Sequence, residues 1–187
     1  MKGGDINMKY IKQLKEADKK FLIGLAKCGH VREDDALKII TKSRLYYYKR
    51  EGVIEKVGYY HTLNRFKGYK LKEKGKRLIT KKFGYHMFQH RQQLYHDSII
   101  SNYYFNNLNE EERNSWISET EIKAILERDK YELDCNKKYS AVDGMYISRE
   151  GMKTGFETVT RDYTKDIIKA KKNTCEFLNL KYIERRW

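Results

Sequence analysis

The chain has 187 residues, 40% of them hydrophobic, with 40 Lys and Arg against 26 Asp and Glu for a net charge of +14. That apolar share is too high for a disordered chain, and no apolar run approaches the ~20 residues of a membrane span. The amino-terminal MKGGDINMKYIKQLKEADKK lacks the apolar stretch of a signal peptide, so neither a membrane nor a secreted protein is expected. Cys28, Cys135 and Cys175 form no CxxC pair and are odd in number, which speaks against a zinc knuckle or disulfide frame and for a reducing, cytoplasmic setting.

The charge is unevenly placed. Residues 1–90 carry 23 Lys and Arg against 9 Asp and Glu, the entire excess, whereas residues 91–187 carry 17 of each sign. A polyanionic partner would feel a concentrated field from the first half only. Two domains are expected, 1–84 and 85–187. No Gly/Ser-rich linker separates them, so the junction near Phe83–Gln93 is expected to be helical.

In chain order, Asp18–Ala26 places Phe21, Leu22 and Leu25 at helical spacing and stops at Gly29. Glu33–Ile40 reads as a second helix with acidic residues in its first turn. Lys42–Arg50 reads as a third, capped by Thr41 or Ser43 and ended by Gly52. Val53–Tyr60 alternates like a strand, with Tyr69–Lys72 as its partner and His61–Gly68 as a polar turn. A fourth helix follows at Glu73–Lys82. Helix, helix, helix, strand, turn, strand is the order of a winged helix-turn-helix. Leu45-x-x-x-Lys49-x-x-Gly52-Val53-Ile54 and Tyr69-x-Leu71-x-x-Lys74-Gly75 resemble the wording of that family, over about residues 17–84.

A recognition helix in a major groove needs side chains that reach base edges and phosphates. Lys42, Ser43, Arg44, Tyr46, Tyr47, Lys49 and Arg50 supply cations and hydroxyls there, with Leu45 and Tyr48 as inward anchors. The wing carries His61, Asn64, Arg65 and Lys67, suited to phosphate or minor-groove contact. The expected partner of this half is double-stranded DNA.

The second half begins with a helical stretch, 85–108. It brings His86 and His90 to i, i+4 spacing, but with no Glu between them as in HExxH no metal site is assigned. Trp116–Ile122 reads as a short strand running into a helix boxed by Ser118 and Glu121. Strands are expected at Tyr139–Ile147 and Gly155–Thr160, a helix at Tyr163–Phe177 and a last strand from Leu180. This series resembles a PD-(D/E)XK nuclease frame, a restriction-endonuclease-like α/β domain. Val142-Asp143-Gly144 resembles its Pro-Asp corner, and Phe156-Glu157-x-Val159 resembles its Glu-x-Lys. In that family the two carboxylates hold Mg²⁺ and the Lys assists the attacking water. Val159 stands where the Lys belongs, and Lys153, Lys165 and Lys169 are the neighbouring candidates to replace it. The resemblance therefore implies a frame that binds rather than cuts, with Mg²⁺ bound only if the Asp143–Glu157 site is intact.

The combination of a winged helix with His96-Asp97, Trp116, Glu119, Asp143, Gly144 and Glu157 resembles the replication–relaxation and MobC-like relaxosome accessory proteins. The resemblance implies an accessory protein of a conjugative or mobilisable element that recognises an origin of transfer and assists a relaxase. A metal-dependent DNA endonuclease using Asp143 and Glu157, and a plasmid transcription or copy-number regulator, are the alternative readings.

Overall fold

The computed structural model describes residues 8–61, 64–90 and 93–186. Among them run eight α-helices, one 3-10 turn and seven strands in two sheets, a mixed α+β architecture. The chain divides into two compact units, Met1–Asn106 and Asn107–Trp187, later than the expected boundary at 84/85. The difference comes from a helix at Leu94–Asn106 (α5), which packs on the first helix of the chain, Glu16–Cys28 (α1). A Cβ at Gly24 would lie 2.2 Å from Phe105 Cζ, so the absence of a side chain there permits the approach. Residues 1–106 still hold the whole +14, and residues 107–187 carry 16 charges of each sign.

In the first unit, α1 ends where Gly29 takes φ 76° and its N–H donates to Leu25 O. Then come β1 (Val31–Arg32), α2 (Glu33–Leu37) and α3 (Lys42–Arg50), whose first turn is capped by the Thr41 hydroxyl accepting from Arg44 N–H. A hairpin of β2 (Ile54–His61) and β3 (Asn64–Leu71) leads into α4 (Glu73–Phe83) and α5. The antiparallel sheet has the order β1-β3-β2, with Val31 opposite Tyr69. Phe21, Leu22, Leu25, Leu45, Tyr48, Ile54, Leu78, Ile79 and Ile100 are fully buried, each contributing about 1.5–3 kcal/mol by burial.

Two expectations are corrected in this unit. The hairpin stays paired from Ile54↔Leu71 to His61↔Asn64, so residues 65–68 are strand and not turn. Alternation explains it: Phe66 turns onto buried Tyr59 with ring centroids 5.4 Å apart, while Arg65 and Lys67 face outward. Residues 62–63 lie outside the described residues. The helix expected from Tyr85 begins only at Leu94. Gly84, at φ 68°, ends α4, and the irregular stretch that follows is pinned by Gln89 N–H donating to Ala26 O at 2.9 Å.

The second unit opens with α6 (Glu110–Asn114), boxed by Asn109 and Glu112. β4 (Ile117–Ser118), α7 (Glu119–Arg128) and a 3-10 turn at Lys130–Glu132 follow, and Ser118 and Glu121 form the expected capping box. β5 (Gly144–Ile147) and β6 (Lys153–Val159) form a hairpin, and α8 (Lys165–Phe177) crosses over to β7 (Lys181–Arg186). The sheet order is β4-β5-β6-β7, antiparallel except for the β6–β7 pair, which is parallel as a helical crossover allows. β5 is shorter than the expected 139–147 because the backbone at 140–141 bonds to α8 instead. Ser140 N–H donates to Ala170 O at 3.3 Å, and Lys171 Nζ donates to Ala141 O. Ile122, Ala141, Val142 and Cys175 form the core on the α8 side of the sheet. Trp116 covers the other side, stacked on Tyr146.

Candidate functional site

The sequence of α3 sets one face in and one face out. Leu45 and Tyr48 are buried, whereas Lys42, Tyr46 and Lys49, at i, i+4, i+7, stand exposed along one stripe. Ser43 is also exposed, its hydroxyl 3.1 Å from that of Thr41. Tyr47 and Arg50 lie at the edge of this face and share a partner. Tyr47 stacks on Tyr10 at 5.6 Å between centroids, and the Arg50 guanidinium lies 4.4 Å from the same ring. Tyr10 is held in place by its N–H donating to Glu51 Oε1 at 2.6 Å.

Arg44 is placed differently from the other cations of α3. Its Nε donates to Asp18 Oδ1 at 2.8 Å and its Nη2 to Asp18 Oδ2 at 2.7 Å, a bidentate pair that ties α3 to α1. A further bond runs from Nη2 to Gln13 O. Asp18 is only 2% exposed. Burial alone would raise its carboxyl, but the Arg44 and Lys15 hydrogen bonds overcome that and hold it below the usual range. The sequence signal was available, because Arg44 is four residues before buried Tyr48 and so flanks the inward stripe.

On the hairpin, Arg65 and Lys67 are exposed strand residues on one face of β3. His61 and Asn64 close the described ladder by their backbones; their side chains lie outside the described residues. His86 and His90, expected on one helix, fall in the irregular stretch before α5 and are exposed, so no helical face joins them. His96 and Asp97 are buried on α5, with Nδ1 3.7 Å from Oδ1.

In the second unit the two carboxylates do come together. The β5–β6 register puts Gly144 opposite Phe156, and therefore Asp143 beside Glu157. Asp143 N–H donates to Glu157 Oε2 at 3.0 Å, and Thr158 N–H donates to Asp143 Oδ2 at 2.8 Å. Like charges facing each other across a strand pair repel, and burial magnifies the cost. The compensating cation is Lys171 of α8, 5% exposed, with Nζ 3.0 Å from Glu157 Oε1. The Tyr163 hydroxyl donates to the same oxygen at 2.9 Å. Burial first, and the Asp143 charge second, push the Glu157 carboxyl up to about 7 against the pull of Lys171 and Tyr163.

Lys171 was not among the lysines expected here; Lys153, Lys165 and Lys169 are all exposed. Its signal was its place three and four residues before Thr174 and Cys175, on the buried face of α8. Val159 is buried at the end of β6. As folded, this cluster does not fit a divalent cation. Both Glu157 oxygens accept from protein donors, and Lys171 supplies the neutralising charge. Among the described residues, no group of three or more His, Cys, Asp or Glu converges as a ligand set.

Comparison of the chain with protein-family models, curated proteins and solved structures gives no match. Among the described residues, no helix is long and apolar enough to cross a membrane.

Proposed function

We propose that this chain is a double-stranded DNA-binding protein that holds duplex without cutting it, reading the major groove through α3. The observation that carries the reading is the placement of charge. The whole net +14 lies in residues 1–106, and α3 offers Lys42, Ser43, Tyr46 and Lys49 on an exposed face, with Arg50 at its edge. Cations on a helix that projects hydroxyls and aromatic rings suit phosphate contact combined with base-edge contact. The order helix, strand, helix, helix, strand, strand, with β1 paired to β3, supports reading this unit as a winged helix. Arg65 and Lys67 then lie on its wing. Arg44 is not counted among the contacts, because it already serves Asp18.

The second unit supports a nuclease-like frame by its mixed sheet, its β6–α8–β7 crossover and its paired Asp143 and Glu157. Its role as an accessory to a relaxase at the origin of transfer of a mobile element rests on the resemblance carried by His96-Asp97, Trp116, Glu119, Asp143, Gly144 and Glu157. One observation favours a second reading, a Mg²⁺-dependent endonuclease: Lys171 approaches Glu157 from α8 and could stand in for the missing motif lysine. Burial of Glu157 and the commitment of both its oxygens weigh against it. Incubating the protein with supercoiled plasmid and Mg²⁺ or Mn²⁺ separates the two. Retarded, uncut plasmid is the expected result; nicking that disappears in Glu157→Ala would overturn the non-cutting account.

A further inference from the structure

The outer face of the β2–β3 hairpin carries a feature that groove reading by α3 does not use. Strand alternation turns Tyr59 inward, 8% exposed, and Tyr60 outward, 71% exposed, the second most exposed of the large apolar side chains described. Register places Arg65 directly across from Tyr60, with its guanidinium carbon 5.8 Å from the centre of the ring. The next pair on the same face is Gly58 with Lys67. A Cβ at Gly58 would lie 3.8 Å from both Arg65 Nε and Nη2, so a side chain there would cover the guanidinium; glycine leaves it bare. Behind this face, Tyr59 stacks on Phe66, which fixes the two strands from below.

The outward face therefore presents, side by side, an open aromatic ring, an uncovered planar cation and a lysine about 7 Å further along the strand. In a paired duplex the flat faces of the bases are occupied by their neighbours. An exposed ring backed by a guanidinium is complementary to the free face of an unpaired base, and the lysine to an adjoining phosphate. We infer that Tyr60 and Arg65 form a base-stacking platform, so that the protein prefers duplex DNA interrupted by unpaired nucleotides over fully paired duplex. The inference rests on the DNA-binding reading above and adds the substrate class.

Fluorescence anisotropy of the intact protein tests it, using a blunt duplex and the same duplex with a four-nucleotide central bubble. One stacked base is expected to favour the bubble by about 5-fold or more. Tyr60→Ala should bring the two affinities together by weakening only the bubble, and Tyr60→Trp should keep the preference. Arg65→Lys, which retains charge but not the plane, should reduce it. A wild-type protein that binds both DNAs equally, or a Tyr60→Ala variant that keeps the preference or weakens both alike, overturns the platform and leaves duplex binding standing. Binding to neither DNA overturns both readings.

Discussion

Each unit buries one conspicuous ion pair, and the two pairs sit in opposite electrostatic settings. In the first, Asp18 and Arg44 join two helices by a bidentate contact, while the surrounding cations remain outside in a unit of net charge +14. In the second, Lys171 stands before two carboxylates that strand pairing has forced together, in a unit whose charges balance. A buried acid gripped by a bidentate guanidinium is easily held ionised. A buried acid crowded by a second buried acid is not, even with a lysine beside it, which is why Asp18 is held low and Glu157 is driven up. The comparison teaches that the same residue types tie two helices together in one unit and offset a pair of crowded buried carboxylates in the other.

The strongest way to break the comparison is Lys171→Met. Removing one partner of a buried pair typically costs about 3–5 kcal/mol, here because Asp143 and Glu157 would face each other uncompensated. The loss should be largest at pH 8 and smaller at pH 5, where Glu157 can take a proton. Both tryptophans, Trp116 and Trp187, lie in the second unit, so denaturant titration followed by tryptophan fluorescence reads it directly. An equal loss at both pH values would separate Lys171 from the carboxylates.

Arg44→Ala should cost the first unit about 3 kcal/mol by leaving Asp18 buried without its cation. Lys49→Ala, on the exposed side of the same helix, should change stability by less than about 0.5 kcal/mol. Denaturation followed by tyrosine near-ultraviolet circular dichroism distinguishes them; similar losses would mean that α3 does not divide its cations between folding and binding.

The units should also respond to pH with opposite signs. His30 is fully buried against Gly68, neither ring nitrogen having a hydrogen-bond partner among the described residues. Burial, with Lys70 and Arg32 nearby, lowers it to about 4. Because the unfolded chain takes up this proton first, stability of the first unit should fall as pH drops from 6.5 towards 4, by up to about 3 kcal/mol. Glu157 is raised, so the folded second unit takes the proton first and should gain stability from this group as pH falls from about 7 towards 4.5. Site-resolved hydrogen exchange on the intact chain would show the divergence, and His30→Phe should flatten the first unit's response alone.

The elements with long periodic patterns were legible in the sequence: α1, α3 with its Thr41 cap, α4, the boxed α7 and α8 all follow their apolar spacing. What escaped was set by partners distant in sequence. β1 is two residues long, too short for alternation to register, and exists because Tyr69 pairs with Val31. Arg65 to Gly68 resembled a polar turn until Phe66 found Tyr59 on the inner face. Among the candidate site residues, Asp143 and Glu157, singled out from two short sequence stretches, prove to be neighbours in space. Lys171 is easily passed over because a lysine on a helix rich in lysines looks like surface, and Arg44 because a cation on a helix expected to face DNA invites that contact despite its place beside the inward stripe.

The most direct test of the division between outward and inward charge is the salt dependence of duplex binding, measured by anisotropy for the wild type and Lys42→Ala/Lys49→Ala. With about six phosphate contacts, wild-type affinity should fall by about 10³-fold between 50 and 200 mM salt. The double variant should bind more weakly at low salt, with its logarithmic salt slope reduced by about 2. A wild-type protein that does not hold duplex at 50 mM salt, or a double variant with unchanged affinity and slope, would contradict the account.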